Sequence, residues 1–234
     1  EALGLARGMQ ELAREYEVSV IGGDTVSSPA GLMISLTVLG RARPGEILRR
    51  DRARRGDLVF VTGPLGQAAA GLELLRRGVA LPEATRSPLV QAFLDPRPQV
   101  RAGRLLAENR LAHALIDLSD GVASDLHHIC RLSRVGAVLA ADQIPLTAEM
   151  QEVAALIGRD PVDLALRGGE DYQLLFTSPP DQEAAVRTAF LQAGLGGPVC
   201  IGRITPEPGV RLRQLGEVRD FSGSGYEHFR GDSP

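Results

Sequence analysis

Near the start of the chain, Leu3, Leu5, Met9 and Leu12 stand at helical spacing among Arg and Glu, which predicts a helix over residues 3–16. VSVIGGDT (18–25) reads as a short β-rich run broken by two glycines and an Asp, and LMISLTVLG (32–40) alternates and branches like a strand. Residues 41–55 are polar, with seven arginines, Pro44 and Gly45, and read as a connector. DLVFVTG is an apolar strand ending in a turn, and a helix follows from about Leu65 to Arg77, closed by Gly78. Prolines 82, 88, 96 and 98 punctuate the next stretch, with short helices expected on either side of the DPRP break. ALIDL (114–118) reads as a buried strand feeding a helix over SDGVASDLHHICRLSRVG, which Ser119 or Asp120 is placed to cap. GAVLAAD is a strand, helices span about 148–157 and 161–166, and YQLLFTS is a strand. DQEAAVRTAFLQAG is a helix, and PVCIGRI and GVRLRQL are strands. Helices alternate with strands throughout, which predicts an α/β or mixed α+β sandwich. The Gly- and Ser-rich tail carries Tyr226, His228 and Phe229 close together, as in a segment that docks on something.

Composition narrows the chemistry. The 234 residues have a net charge of −3 and 44% hydrophobic content, the profile of a globular protein with one large domain or two smaller ones. All 26 basic residues are arginine. The absence of lysine excludes a Walker A lysine, the ATP-site lysine of protein kinases and Schiff-base chemistry. Phosphate would have to be met by Arg, backbone N–H groups or metal ions. No apolar run is long enough to span a membrane and the first residues do not form a signal peptide, so a cytoplasmic protein is expected. Cys130 and Cys200 stand far apart in apolar settings and read as reduced core thiols.

Three motifs carry candidate chemistry. In IGGDT (21–25) two glycines allow close backbone approach to a ligand, and Asp24 offers oxygen to a hard cation; a plain turn is the alternative. In DLSDG (117–121) Asp117 and Asp120 flank Ser119 at a strand-to-helix junction, where α/β sheets bind ligands. Their mutual repulsion would be relieved by a divalent cation; a helix cap plus one solvated Asp is the alternative. Asp125, further along that helix, reads as solvated or salt-bridged. In RGGEDYQLLF (167–176) Glu170 and Asp171 follow two glycines; a turn entering a strand is the alternative. The arginine-rich connector lacks interleaved aromatics and is diluted by Glu46 and Asp51, which argues against nucleic acid, although guanidinium forks suit a nucleotide phosphate. His127 and His128 are adjacent and cannot form an i, i+4 metal pair.

IGGDT, DLVFVTGPLGQAAAGLELL, IDLSDGVASDLHHI, LRGGEDYQLLFT, IGRI and GYEHF occur in this order in the thiamine-monophosphate kinases, which the chain closely resembles over its whole length. That family is part of a larger ATP-dependent group with aminoimidazole ribonucleotide synthetase, selenophosphate synthetase and a hydrogenase maturation factor. The resemblance implies Mg²⁺-assisted transfer of the ATP γ-phosphoryl group to thiamine monophosphate, in a homodimer. It also implies a two-domain fold: residues 1–50 as the C-terminal part of an N-terminal ATP- and metal-binding, dimerising domain, and 51–234 as a C-terminal α/β domain with a mixed sheet flanked by helices. Residue by residue, it matches Gly23 and Asp24 to ATP and Mg²⁺, Arg50 and Ser119 to ATP, and Asp117 and Asp120 to metal. Glu170 and Tyr226 match substrate contacts, with neighbouring Arg49 competing for the role of Arg50. Family members carry a leading segment with further metal-binding aspartates and part of the dimer sheet, so the chain is expected to be a shortened form. The alternatives are a non-catalytic nucleotide-binding fragment or another enzyme of the same ATP group.

Overall fold

The structure, a computed structural model, describes residues 2–221. Two compact units divide at Arg43 and Pro44. The first holds α1 (Ala2–Glu15), the helix expected from the leucine spacing. Residues 18–25 and 32–40 form no strand, contrary to their pattern. Strand backbone needs a partner for its N–H and C=O groups, and no described residue pairs with either run. The side chains of Ile21, Leu32, Met33 and Val38 are exposed.

The second unit is built on one seven-stranded sheet. Its strands are β1 (Leu58–Val61), β2 (Ala114–Asp117), β3 (Gly136–Ala140), β4 (Leu174–Ser178), β5 (Val199–Thr205), β6 (Gly209–Gln214) and β7 (Glu217–Asp220). The spatial order is β2-β4-β1-β5-β3-β6-β7, antiparallel except for the parallel pair β3–β6. The helices are α2 (Gln67–Arg77), α3 (Glu83–Leu94), α4 (Val100–Glu108), α5 (Val122–Ser133), α6 (Ala148–Leu156), α7 (Pro161–Arg167) and α8 (Glu183–Gln192). This is the mixed α/β architecture that the alternation predicts.

The two-residue period of the strands divides the core into two layers. Val59 and Val61 of β1, with Leu175 of β4, face one side, where Leu74, Leu126, Met150 and Leu164 of α2, α5, α6 and α7 complete a cluster. Leu58 and Phe60 face the other side with Phe176, against Leu106 of α4 and Phe190 of α8. There Phe60 and Phe176 stack with ring centroids 5.2 Å apart, and Phe176 and Phe190 at 6.4 Å. Covering both sheet faces fixes β2 and β4 as buried strands whose ends open onto loops. Asp117 stands at the end of β2, and the Glu170 loop leads into β4. Among the described residues no helix is long and apolar enough to cross a membrane.

Candidate functional site

A cavity of about 660 Å³ opens at the carboxyl end of β2. Arg50, Asp117, Ser119 and Asp120, predicted from separate motifs, all line it, together with Arg49, Asp125 and His128. Leu48, Leu115, Ile116, Leu132 and Leu174 supply its apolar lining.

The arginine connector reaches the cavity by pairing with the sheet. Arg49 bridges to Ala114, and its carbonyl accepts the Leu115 N–H at 3.3 Å. One residue on, the Arg50 carbonyl accepts the Ser133 hydroxyl at 3.2 Å, and the same hydroxyl accepts the Ala53 N–H at 3.1 Å. The strip is therefore pinned both to β2 and to the last turn of α5. The two arginines then differ in what their side chains do. Arg49 forks onto Asp51 with bonds of 2.8 and 2.7 Å, whereas no ion pair or side-chain hydrogen bond holds the Arg50 guanidinium among the described residues. Arg50 is the one available to an incoming anion.

The acidic wall departs from the expected geometry in one respect. Neither Ser119 nor Asp120 caps α5; Gly121 occupies the N-cap and contributes no side-chain bond. Asp125 substitutes for the cap from inside the first turn, its Oδ2 accepting the N–H of Ser119 at 3.1 Å and of Asp120 at 3.2 Å. Asp125 is therefore only 2% exposed, not solvated as its sequence position suggests. Burial pushes its carboxyl up to about 7, and the charges of Asp120 and Asp117 push in the same direction. Asp117 is exposed and Asp120 half-buried, so both remain open to a ligand. His128 is half-buried at the cavity while His127 faces away and is exposed, as their adjacency on a helix requires. Burial, followed by the Arg131 and Arg50 charges, lowers the His128 imidazole below its ordinary value.

Glu170 is exposed and is not among the cavity-lining residues, but its N–H donates to the Ser119 carbonyl at 2.9 Å. The Tyr172 hydroxyl reaches its Oε2 at 3.3 Å. Gly23 and Asp24 belong to the first unit, where Asp24 Oδ1 accepts the Thr25 N–H at 2.8 Å. Tyr226 lies outside the described residues. Asp125 and His128 line the cavity although the sequence pattern assigns neither a part in it. For Asp125 a signal existed, because a glycine at the N-cap leaves the first N–H groups seeking another acceptor. Of the cysteines, Cys130 is buried, its thiol pushed up to about 12 by that burial, and Cys200 is half-buried.

The cavity's oxygen donors bear on whether it can hold Mg²⁺. No three His, Cys, Asp or Glu side chains among the described residues gather closely enough to form an all-protein cage. Two open carboxylates beside an arginine nevertheless fit this ion, which takes one or two carboxylates and completes its shell with phosphate oxygens and water.

The model of the AIR synthase related protein, C-terminal domain, matches residues 54–214, and that of the N-terminal domain matches residues 2–42. The chain belongs to the AIR synthase related protein family. Within that family it is 36% identical over 93% of its length to the thiamine-monophosphate kinase of Salmonella typhimurium, of which it covers 66%. It is 40% identical over 89% of its length to that of Methanopyrus kandleri, covering 62%. A solved structure, AaThiL complexed with AMPPCP and TMP, superposes with a TM-score of 0.65 at 33% identity, covering 78% of this chain and 54% of that one. The chain thus spans just under two thirds of the length of these curated relatives. The match to the C-terminal domain takes in β2, α5 and the Glu170 loop, so the cavity's acidic wall lies within the shared part.

Proposed function

We propose that the chain acts as a thiamine-monophosphate kinase, transferring the γ-phosphoryl group of ATP to the phosphate of thiamine monophosphate to yield thiamine diphosphate and ADP. The observation that carries this reading is the meeting of Arg50, Asp117, Ser119 and Asp120 in one cavity of a lysine-free chain whose relatives bear that name. The relative complexed with AMPPCP and TMP supports an ATP-like ligand and thiamine monophosphate as the pair to be accommodated.

In this reading Asp117 and Asp120 would hold Mg²⁺, and Asp24, carried by the first unit, is a further candidate metal ligand. The ion, when bound, would neutralise charge on the ATP phosphates. Arg50 would bind a phosphate through its free fork, and Ser119 would contact ATP. Glu170 and Tyr226 would bind the thiamine-bearing substrate. Asp125 keeps the Ser119–Asp120 backbone in place. The acceptor is a phosphate oxygen already ionised at neutral pH, so no general base and no covalent enzyme intermediate are needed. The protein's task is to bring two polyanions into line. A homodimer in the cytoplasm is part of the same proposal.

The test is a reaction of the purified chain with ATP, Mg²⁺ and thiamine monophosphate, followed for ADP and thiamine diphosphate, beside calorimetry with ATP and Mg²⁺. One thiamine diphosphate per ADP is expected. ATP binding with no thiamine diphosphate formed would replace this reading by that of a non-catalytic nucleotide-binding protein.

A further inference from the structure

We propose that Asp171 is a positioning residue. Its carboxylate fastens the Gly168–Tyr172 loop to the first turn of α2 and so sets where Glu170 and the Ser119–Asp120 loop stand. The inference deepens the kinase reading and rests on it for its kinetic test, but not for its structural one.

The helix α2 begins without a cap of its own. Its N-cap, Gly66, has φ +77° and no side chain to accept the N–H groups of the first turn. Asp171, 105 residues away, supplies the acceptor. Its Oδ2 takes the Gly66 N–H at 2.7 Å and its Oδ1 the Ala68 N–H at 3.2 Å, and the Gln67 N–H also acts on it. A carboxylate at a helix N-terminus is stabilising in itself. The consequence here concerns the two residues beside it.

Glu170 and Tyr172 have φ +68° and +47°, left-handed conformations that non-glycine residues keep only where their surroundings over-determine them. Both donate N–H bonds to the cavity loop: Glu170 to the Ser119 carbonyl and Tyr172 to the Leu118 carbonyl, each at 2.9 Å. The chain thus alternates, with residues 170 and 172 bonded to the DLSDG loop and residue 171 between them anchored on α2. The two loops are in direct backbone contact. A Cβ on Gly169 would run into the Ser119 carbonyl, and one on Gly121 would stand 2.7 Å from the Gly168 carbonyl. With no side chain between them, displacing one loop displaces the other. Asp125 bonds the Ser119–Asp120 backbone directly, whereas Asp171 anchors on α2 the loop whose Glu170 N–H reaches the Ser119 carbonyl.

Asp171→Asn keeps the shape and turns an amide NH₂ toward N–H donors. The structural readout is hydrogen–deuterium exchange in the whole chain without ligands. Exchange at Gly66, Ala68, Glu170 and Tyr172 is expected to speed up together by at least ~10-fold, with protection of β1 and β4 retained. The kinetic readout is a joint rise in both Michaelis constants. KM for thiamine monophosphate is expected to rise by about 10-fold through Glu170, and KM for ATP to rise with it by several-fold, about 3-fold or more, through the coupled Ser119–Asp120 loop. If Asp171→Asn does not fold, judged by far-UV circular dichroism, Asp171→Ser, which keeps one acceptor oxygen, carries the same measurements. Unchanged protection at Glu170 and Tyr172 overturns the proposal whatever the activity. A lower kcat with both KM values unchanged also overturns it, because that pattern means only a smaller folded fraction. If the wild-type chain makes no thiamine diphosphate, the kinase reading fails and the exchange result alone decides this one.

Discussion

Asp125 differs from Asp117 and Asp120 in what its oxygens do. It is spent on two backbone N–H groups, whereas theirs are open to the cavity. Removing each should therefore have opposite consequences. Asp125→Ala leaves the Ser119 and Asp120 N–H groups without their acceptor, which is expected to lower stability by about 1–3 kcal/mol. Urea denaturation at pH 5 checks this, because the wild-type carboxyl, pushed up to about 7, still holds its proton there and loss of the bonds is read without a change in buried charge. Asp120→Asn removes a like charge from beside Asp117 and breaks no backbone bond. Its stability is expected to stay within about 1 kcal/mol of wild type. If the proposed kinase activity holds, its turnover of thiamine monophosphate is expected to fall by at least ~10²-fold, as for loss of a group that meets charge in the transition state. A full-strength Asp120→Asn enzyme would remove this residue from the metal set. Spacing made the DLSDG carboxylates readable but could not separate their roles, since the difference lies in which oxygens meet backbone.

Among the elements, those with strong apolar period were readable: α2 with Gly78 at its end, and β1, β2 and β4 of the doubly covered sheet. β7 (EVRD) carries one apolar residue and all four of its residues are exposed, so nothing in its pattern announces an edge strand. The reverse error fell on residues 18–25 and 32–40, which have strand composition but no pairing partner among the described residues; composition prescribes a preference and pairing makes the strand. Close helix packing is equally silent in sequence. Gly71, in the middle of α2, reads as a weak point of the helix, yet a Cβ there would run into the Leu89 carbonyl of α3. Alanine should gain up to about 1 kcal/mol of helix propensity. Forcing the two helices apart should cost about 1–3 kcal/mol, so the net effect of Gly71→Ala is expected to be destabilising. A urea midpoint below that of wild type, at unchanged slope, is the expected result; a midpoint above it would show that α2 and α3 separate freely.

At the largest scale, Asp171 ties the Glu170 loop to the first turn of α2, and its burial makes a pH dependence that the fold itself should display. Burial pushes the Asp171 carboxyl up to about 6, against the lowering effect of the α2 N–H groups. A carboxyl raised above its unfolded value near 3.8 binds its proton more tightly in the folded state than in the unfolded one. Its favourable contribution is therefore complete below about pH 4 and is lost as pH rises through 6. The sign is opposite to that of a salt-bridged carboxylate, whose contribution is lost on acidification. Other groups titrate in the same window, so the quantity to measure is the difference in unfolding free energy between wild type and Asp171→Asn, which lacks the proton site. Wild type is expected to lose ground on the variant between pH 4 and 7, by up to about 3 kcal/mol if the full shift is expressed. Denaturant titrations at half-unit pH steps check this. A difference that stays level across that range would mean that water reaches the carboxylate at the root of α2. A difference that grows with pH would mean that the helix N–H groups outweigh burial there.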